Sequence, residues 1–187
     1  SRATPIRSQS GEIQKVVGIN VDITERTLAL RELQLKTTTD ALTGVLNRRH
    51  FIELTRRELE RCVRYPKDFS MILFDVDWFT RVNNAHGHIA GDDVLAQVSQ
   101  IASLQMREVD MLGRMGGGEF CISMPETGEL QAQKAAERLL AAVREHTFRL
   151  PGGETLDMSI SLGVSACLDA VEHVDTLLRW AGMALSQ

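Results

Sequence analysis

Two groups of residues in this chain have the types and spacing needed for chemistry on a phosphate ester. Asp75 comes directly after the apolar run of residues 71–74, so a buried strand would deliver its carboxylate to the edge of a sheet. Residues 116–118 are three glycines before Glu119, and a bare glycine turn lets backbone N–H groups approach a phosphate. Phosphoryl-transfer sites hold Mg²⁺ with one or two carboxylates, which makes Asp75 the first candidate ligand.

The elements that must position these residues are predicted from hydrophobic periodicity. Four stretches have apolar residues at helical spacing; they are residues 52–63, 94–102, 132–143 and 174–185. Three stretches have strand character; they are residues 70–74, 120–124 and 156–166. The last is predicted as one long antiparallel strand because every second residue is apolar. The order indicates an α+β fold, with an antiparallel-containing central sheet and helices on one face.

Residues 1–22 and 23–38 precede this domain and differ from it. The first stretch alternates weakly around Gly11, which predicts a hairpin rather than a complete domain. The second favours a helix in which Ile23, Leu30 and Leu33 follow a short heptad track. That helix is either the linker through which two copies dimerise or a single exposed helix.

Three sequence blocks resemble the signature of GGDEF domains, the diguanylate cyclases that join two GTP molecules into cyclic di-GMP. They read DALTGVLNRR over residues 40–49, DVDWFTRVNNAHGHIAGDDVL over residues 75–95 and GGGEF over residues 116–120. Their order and spacing match the family, and the resemblance covers residues 39–187. It implies the palm-like fold of nucleotidyl cyclases, GTP as substrate and Mg²⁺ as cofactor. Residues 18–26 are similar to the exit strand and linker of PAS sensor domains, so residues 1–22 are interpreted as the remnant of one.

The resemblance assigns roles around the glycine turn. It implies that Asp75 binds the metal together with the backbone carbonyl of Val76, and that Gly116 and Gly117 lie against the substrate. The family has an acidic metal ligand where this chain has Gly118. Glu119 is adjacent, but neighbouring side chains on an extended segment point to opposite faces, so its carboxylate is not expected to replace the missing one.

Guanine recognition is assigned to Asn83 and Asp92, which match the family positions that read the purine edge. An amide and a carboxylate supply the acceptors and donors that guanine requires. The alternative interpretation is structural, with Asn83 as a turn former and Asp92 as the N-cap of the following helix.

A regulatory site is assigned to Arg107 and Asp110, which match the RxxD motif of the family. The resemblance implies that this pair binds cyclic di-GMP, with Arg138 on the following helix as a second arginine. The planar fork of an arginine suits both a phosphate and the Hoogsteen edge of guanine. The alternative is a surface salt bridge of little energetic value.

These observations support three functional hypotheses. The first is a catalytically degenerate GGDEF domain that binds cyclic di-GMP at the RxxD site and acts in signal transduction. The second is an active or weakly active diguanylate cyclase that works as a homodimer, and the third is a GTP-sensing regulatory domain. Thr80 and Gly182 are further departures from the family pattern, and the family's basic tail would lie beyond Gln187, which implies a truncated C-terminal end.

Composition limits the class of protein. The 187 residues are 43% hydrophobic and 25% charged, which is ordinary for a folded domain. A net charge of -4 without a basic stripe argues against nucleic-acid binding. No apolar run reaches the roughly 20 residues of a membrane span, although a parent protein could be anchored. The three scattered cysteines favour reduced thiols and therefore the cytoplasm.

Overall fold

The computed structural model describes residues 2–7, 13–19, 38–167 and 173–186. The chain divides into two compact units, residues 1–35 and residues 36–187. In the first unit, β1 (Arg2–Arg7) pairs antiparallel with β2 (Ile13–Ile19), which confirms the predicted hairpin. Residues 23–37, which contain most of the predicted linker helix, lie outside the described part of the chain.

In its described residues, the second unit contains one main sheet and five helices. Its strands are β3 (Leu46–Asn47), β4 (Phe69–Val76), β5 (Met111–Gly116), β6 (Glu119–Pro125), β7 (Thr147–Arg149), β8 (Thr155–Asp157) and β9 (Ile160–Ala166). Its helices are α1 (Arg48–Arg64), α2 (Phe79–His86), α3 (His88–Leu104), α4 (Glu129–Glu145) and α5 (Val174–Leu185). The main sheet has the order β3-β5-β6-β4-β9, parallel only between β3 and β5. The predicted α+β class with a helix-flanked sheet is confirmed.

Both faces of the sheet are covered, so the expectation of helices on one face is wrong. On β4, Ile72 and Phe74 point into a core shared with α3 and α4, whereas Phe69 and Met71 point into a core shared with α1 and α5. A strand buried on both faces is a continuous apolar run rather than an alternating one. The run of residues 69–74 therefore carried the signal for a second helical layer.

The predicted long strand over residues 156–166 is also wrong, because the backbone changes partners within it. The β8 strand pairs with β7 in a separate hairpin, and β9 pairs with β4 in the main sheet. Met158 lies between them and is buried, so the alternation of apolar residues continues across the break. Ser159, which follows, accepts a hydrogen bond from the Asp77 N–H at its carbonyl oxygen (3.0 Å).

The contact between β9 and α5 is unusually close. A Cβ atom added to Gly163 would lie 1.9 Å from the carbonyl oxygen of Ala181 and 2.6 Å from the backbone nitrogen of Leu185. Only glycine permits this approach. Within the described residues, no helix is both long enough and apolar enough to cross a bilayer.

Candidate functional site

The residues predicted to handle a phosphate line one open cavity of about 850 Å³, which we call the glycine-turn cavity. It lies where β4 ends and where the β5–β6 hairpin turns. Its predicted members are Asp75, Val76, Gly116, Gly117, Gly118 and Glu119; Trp78, Phe79, Thr80, Arg81 and Asn84 complete the lining. The structure thus brings together the two groups of residues with which the sequence argument began.

The turn itself depends on its glycines. Gly116 has φ +140° and Gly117 has φ +54°, conformations that L side chains rarely adopt. The register shifts between Arg114 and Gly116, which is a bulge beside the turn. Arg114 then holds the turn, since its Nε and Nη2 donate to the Gly117 carbonyl at 3.2 and 2.9 Å. Arg114 therefore supports the backbone of the turn in this conformation.

Asp75 lies at the end of β4 and is paired across the sheet with Glu119 on β6 and Ser161 on β9. Partial burial raises the pKa of the Asp75 carboxyl; a hydrogen bond from the Val76 backbone opposes this, and the nearby Asp77 carboxylate adds to the rise. Burial thus disfavours the charged form of this carboxyl, and a cation bound beside it would offset that cost.

Gly118 is in direct contact with Asp75. A Cβ atom added to Gly118 would lie 2.8 Å from Asp75 Oδ1 and 3.5 Å from the Cβ atoms of Val76 and Phe79. An acidic residue here would start its side chain against the Asp75 carboxylate, where the two could share a cation. Gly118 leaves Asp75 without that neighbour.

The residues present do not form a complete metal site. Throughout the described ranges, no three His, Cys, Asp or Glu side chains group closely enough to hold a metal ion. Glu119 lines the same cavity as Asp75 and lies directly opposite it in the antiparallel register, so the two side chains project from one face of the sheet. A Mg²⁺ ion here would depend on these two carboxylates, with waters and substrate phosphates as its other ligands.

Asn83 lies on α2 and Asp92 on α3, and neither is among the residues that line the glycine-turn cavity. A Cβ atom at Gly91 would lie 1.9 Å from Asn83 Oδ1 and 3.2 Å from the Phe79 ring, so the amide and the ring both rest on this glycine. Asp92 follows Gly91 and is exposed. Phe79 contacts Gly118 as well as Gly91, and it connects the two parts of the predicted nucleotide site.

The alternative interpretation of these two residues is wrong. Asn83 lies inside α2 rather than in a turn, and Asp92 lies inside α3, whose N-cap is Gly87. Neither polar side chain is therefore explained by the local backbone.

The three residues of the predicted regulatory site gather at the C-terminal end of α3. The Arg107 N–H donates to Asp110 Oδ2 at 2.9 Å, and the Asp110 N–H donates to the Arg107 carbonyl at 3.1 Å, so the acid shapes the turn. Asp110 Oδ1 is buried without a hydrogen-bond partner. Arg138 reaches this turn from α4 and donates to the Gln105 carbonyl at 2.9 Å and to Gln105 Oε1 at 3.2 Å.

The alternative of an Arg107–Asp110 salt bridge is not what the structure contains. Asp110 accepts from the backbone of Arg107, and the Arg107 guanidinium has no ion pair or hydrogen bond with any described residue. Its side chain is exposed.

The link between Asp40 and Arg114 was missed by the sequence argument. The Asp40 carboxylate accepts from Thr43 N and Oγ1 at 3.0 and 2.8 Å, and from Arg114 Nη1 at 3.2 Å. Partial burial raises the pKa of Asp40, but the hydrogen bonds from Thr43 and the Arg114 guanidinium outweigh it and lower the pKa below its usual value. An Asp-x-x-Thr turn and an arginine two residues before the glycines were the available signals.

Comparison with known proteins agrees with this fold. The family model "Diguanylate cyclase, GGDEF domain" matches residues 37–187, and the chain belongs to this family. It is 33% identical over 159 residues to the probable diguanylate cyclase DgcC of Escherichia coli K12, covering 83% of this chain and 41% of that protein. It is 35% identical over 148 residues to the cyclic di-GMP phosphodiesterase NbdA of Pseudomonas aeruginosa, covering 79% of this chain and 19% of that protein.

A solved structure shows the same architecture. The diguanylate cyclase SiaD of Pseudomonas aeruginosa, crystallised with its activator SiaC, superimposes with a TM-score of 0.76 at 34% identity. The match covers 88% of this chain and 64% of that chain. The chain spans less than half the length of these two curated relatives.

Proposed function

We propose that residues 39–187 form a catalytically degenerate GGDEF domain that binds cyclic di-GMP through Arg107 and Asp110. The observation that carries this proposal is the contact between Gly118 and Asp75. Glycine at this position removes a carboxylate from the place where it would touch Asp75. Cyclisation needs a hydroxyl of one GTP to attack the α-phosphate of another, and the charge that develops there requires cations, which Asp75 and Glu119 hold less tightly without an acid at position 118.

Ligand binding by the RxxD turn is supported by groups that lack partners. Arg107 is exposed with a free guanidinium among the described residues, and Asp110 Oδ1 is unsatisfied. An arginine fork recognises phosphate or the O6 and N7 atoms of guanine, and a carboxylate accepts from the guanine N1 and N2 groups. Arg138 lies against the same turn and adds a second positive charge for the ligand's two phosphates.

Family membership does not decide between synthesis and another role. One relative of 35% identity is named a cyclic di-GMP phosphodiesterase. A GGDEF domain that binds a nucleotide without making cyclic di-GMP is consistent with such a protein.

Titration calorimetry with cyclic di-GMP tests the binding role. We expect Arg107→Ala to weaken binding by about 2 kcal/mol or more, which is roughly 30-fold, because a charge-assisted contact is lost. Thermal stability should not change, since the side chain has no structural partner. Arg179→Ala removes an exposed arginine from α5 and is the matched control. Unchanged affinity in Arg107→Ala would show that the ligand, if bound, lies elsewhere.

A weakly active cyclase is the second candidate, and the position of Glu119 opposite Asp75 favours it. Cyclic di-GMP formation from GTP and Mg²⁺ should be compared between the unchanged chain and its Gly118→Asp variant. We expect Gly118→Asp to form cyclic di-GMP at least about 100-fold faster than the unchanged chain. Loss of a group that stabilises transition-state charge commonly costs about 10²–10³ in rate. Comparable turnover by both proteins would establish the cyclase and overturn the degenerate assignment.

The segments outside this domain are part of the same proposal. We assign residues 1–22 to the end of a PAS sensor domain and residues 23–38 to a helical linker. The linker pairs two chains into a homodimer in the cytoplasm, and GTP is a further ligand at Asn83 and Asp92. A GTP affinity that survives Asn83→Ala would count against that last assignment.

A further inference from the structure

A second cavity shares part of its wall with the glycine-turn cavity. It measures about 580 Å³, is open to solvent, and is lined by α2, the end of α4 and the β8 strand with the two residues that follow it; we call it the hairpin cavity. Trp78 and Arg81 line both cavities. Arg144, Leu156 and Asp157 line only the hairpin cavity. Its size lies within the range of small-molecule sites.

Trp78 is presented to this cavity by an unusual backbone. Its φ and ψ are 59° and 22°, a left-handed conformation that is costly for a bulky residue. The conformation is fixed because the Trp78 carbonyl accepts from the N–H groups of Arg81 and Val82, at 2.8 and 3.1 Å, and so begins α2. The indole is 77% exposed, which leaves a broad aromatic face without protein contact. Strain of this kind is concentrated at ligand sites.

The cavity combines an apolar floor with charges of both signs. Val82 and Met158 form buried parts of the floor. Arg144 donates from Nε to Ser159 Oγ at 3.2 Å, which orients the guanidinium and leaves both terminal nitrogens available. The side chains of Arg81 and Asp157 have no hydrogen bond or ion pair within the described ranges.

We propose that the hairpin cavity binds a purine nucleoside monophosphate. The base stacks on the Trp78 indole, the phosphate lies between Arg81 and Arg144, and the Asp157 carboxylate accepts from an N–H group on the base edge. A purine nucleotide supplies the flat ring, the anion and the donor edge that this lining requires. The site is separate from the RxxD turn, because none of its residues is Arg107, Asp110 or Arg138.

Tryptophan fluorescence tests this proposal directly, because the chain has only two tryptophans. In a Trp180→Phe background, Trp78 is the sole reporter, and GMP should quench it with a saturable curve. Arg144→Ala in the same background should weaken GMP binding by at least about tenfold, because a charge-assisted hydrogen bond contributes that much or more. Arg144→Lys should be intermediate, since it retains the charge but not the fork. Asn84 lines the glycine-turn cavity but not the hairpin cavity, so Asn84→Ala should leave the GMP quenching curve unchanged.

Several results would overturn it. The proposal fails if GMP gives no saturable quenching up to about 10 mM, above the range of useful affinity. It also fails if quenching is lost in Asn84→Ala but kept in Arg144→Ala, which would place GMP in the glycine-turn cavity. Inorganic phosphate that competes as well as GMP would show an anion site without base stacking. Asp157→Asn should weaken GMP more than ribose 5-phosphate, and equal effects would refute recognition of the base edge.

Discussion

Gly118 differs from the family's acid by a side chain that would begin 2.8 Å from Asp75 Oδ1. That spacing is shorter than normal van der Waals contact, so an acid here requires the Asp75 carboxylate to turn aside or to share a cation. Without the acid, Asp75 is left as a partly buried carboxyl whose pKa is raised by that burial. The chemistry of the glycine-turn cavity therefore depends on one pair of adjacent residues.

A second prediction about a single residue concerns Asp40. Its folded pKa lies below the ordinary value of 3.8, so it contributes stability that is fully present above that pH and is lost as the pH falls through the lower folded value. We expect Asp40→Asn to lower the free energy of unfolding by about 1–3 kcal/mol at pH 7, because Arg114 loses a charged acceptor. Urea unfolding at pH 7 and at pH 3 measures this.

The pH dependence of this stability difference is the first control for Asp40→Asn. The difference between Asp40→Asn and the unchanged chain should shrink as the pH falls below 3.8. A difference that stays constant down to pH 2 would mean that the carboxylate's charge contributes nothing. Asp68→Asn, which changes an exposed acid outside the Asp40–Arg114 pair, is the matched control.

Between elements, the closest packing lies where α5 meets β9. Gly163→Ala would place a methyl group 1.9 Å from the Ala181 carbonyl oxygen, and the helix would have to move. We expect a loss of about 3 kcal/mol in the free energy of unfolding, as for other overpacked sites. Denaturant unfolding monitored by circular dichroism gives the value. Gly152→Ala is the control, since an added Cβ there meets nothing within 4 Å; equal effects would contradict the packing argument.

Apolar spacing predicted an element correctly where the whole segment keeps the same neighbours in the fold. The α1, α4 and α5 helices and the β4 and β6 strands were found from apolar spacing alone. The break between β8 and β9 was missed because Met158, which lies between the two strands, is buried. The alternation of apolar and polar residues therefore shows no interruption there. Short α2 was missed because it buries only Val82 and begins at a left-handed tryptophan.

The candidate site was predicted from motifs rather than from periodicity. The grouping of Asp75 with the glycine turn could be predicted, because both lie where strands end. The role of Arg114 could not, since its two partners are 74 and 3 residues away and the bonds depend on the bulge beside Gly116. The hairpin cavity depends equally on the β7–β8 hairpin, which the alternating pattern concealed.

For the molecule as a whole, residues 36–187 form a compact unit with two hydrophobic cores of their own. We expect a chain of residues 36–187 to melt within a few degrees of the full chain and to bind cyclic di-GMP with similar affinity. We also expect it to be a monomer under conditions where residues 1–187 form dimers. Sedimentation velocity and calorimetry on both proteins test this, and a shortened chain that remains dimeric would remove the linker from the proposal.

The sharing of Arg114 between Asp40 and Gly117 has a thermodynamic consequence. One guanidinium spans both turns, so an event that orders the Gly117 carbonyl also orders the Asp40 turn. Coupling free energy is reciprocal: if a ligand in the glycine-turn cavity tightens the Asp40 turn by some factor, then tightening that turn raises the ligand's affinity by the same factor. Hydrogen exchange of the Thr43 amide, whose N–H is hydrogen-bonded to Asp40, therefore reports whether a ligand occupies the glycine-turn cavity.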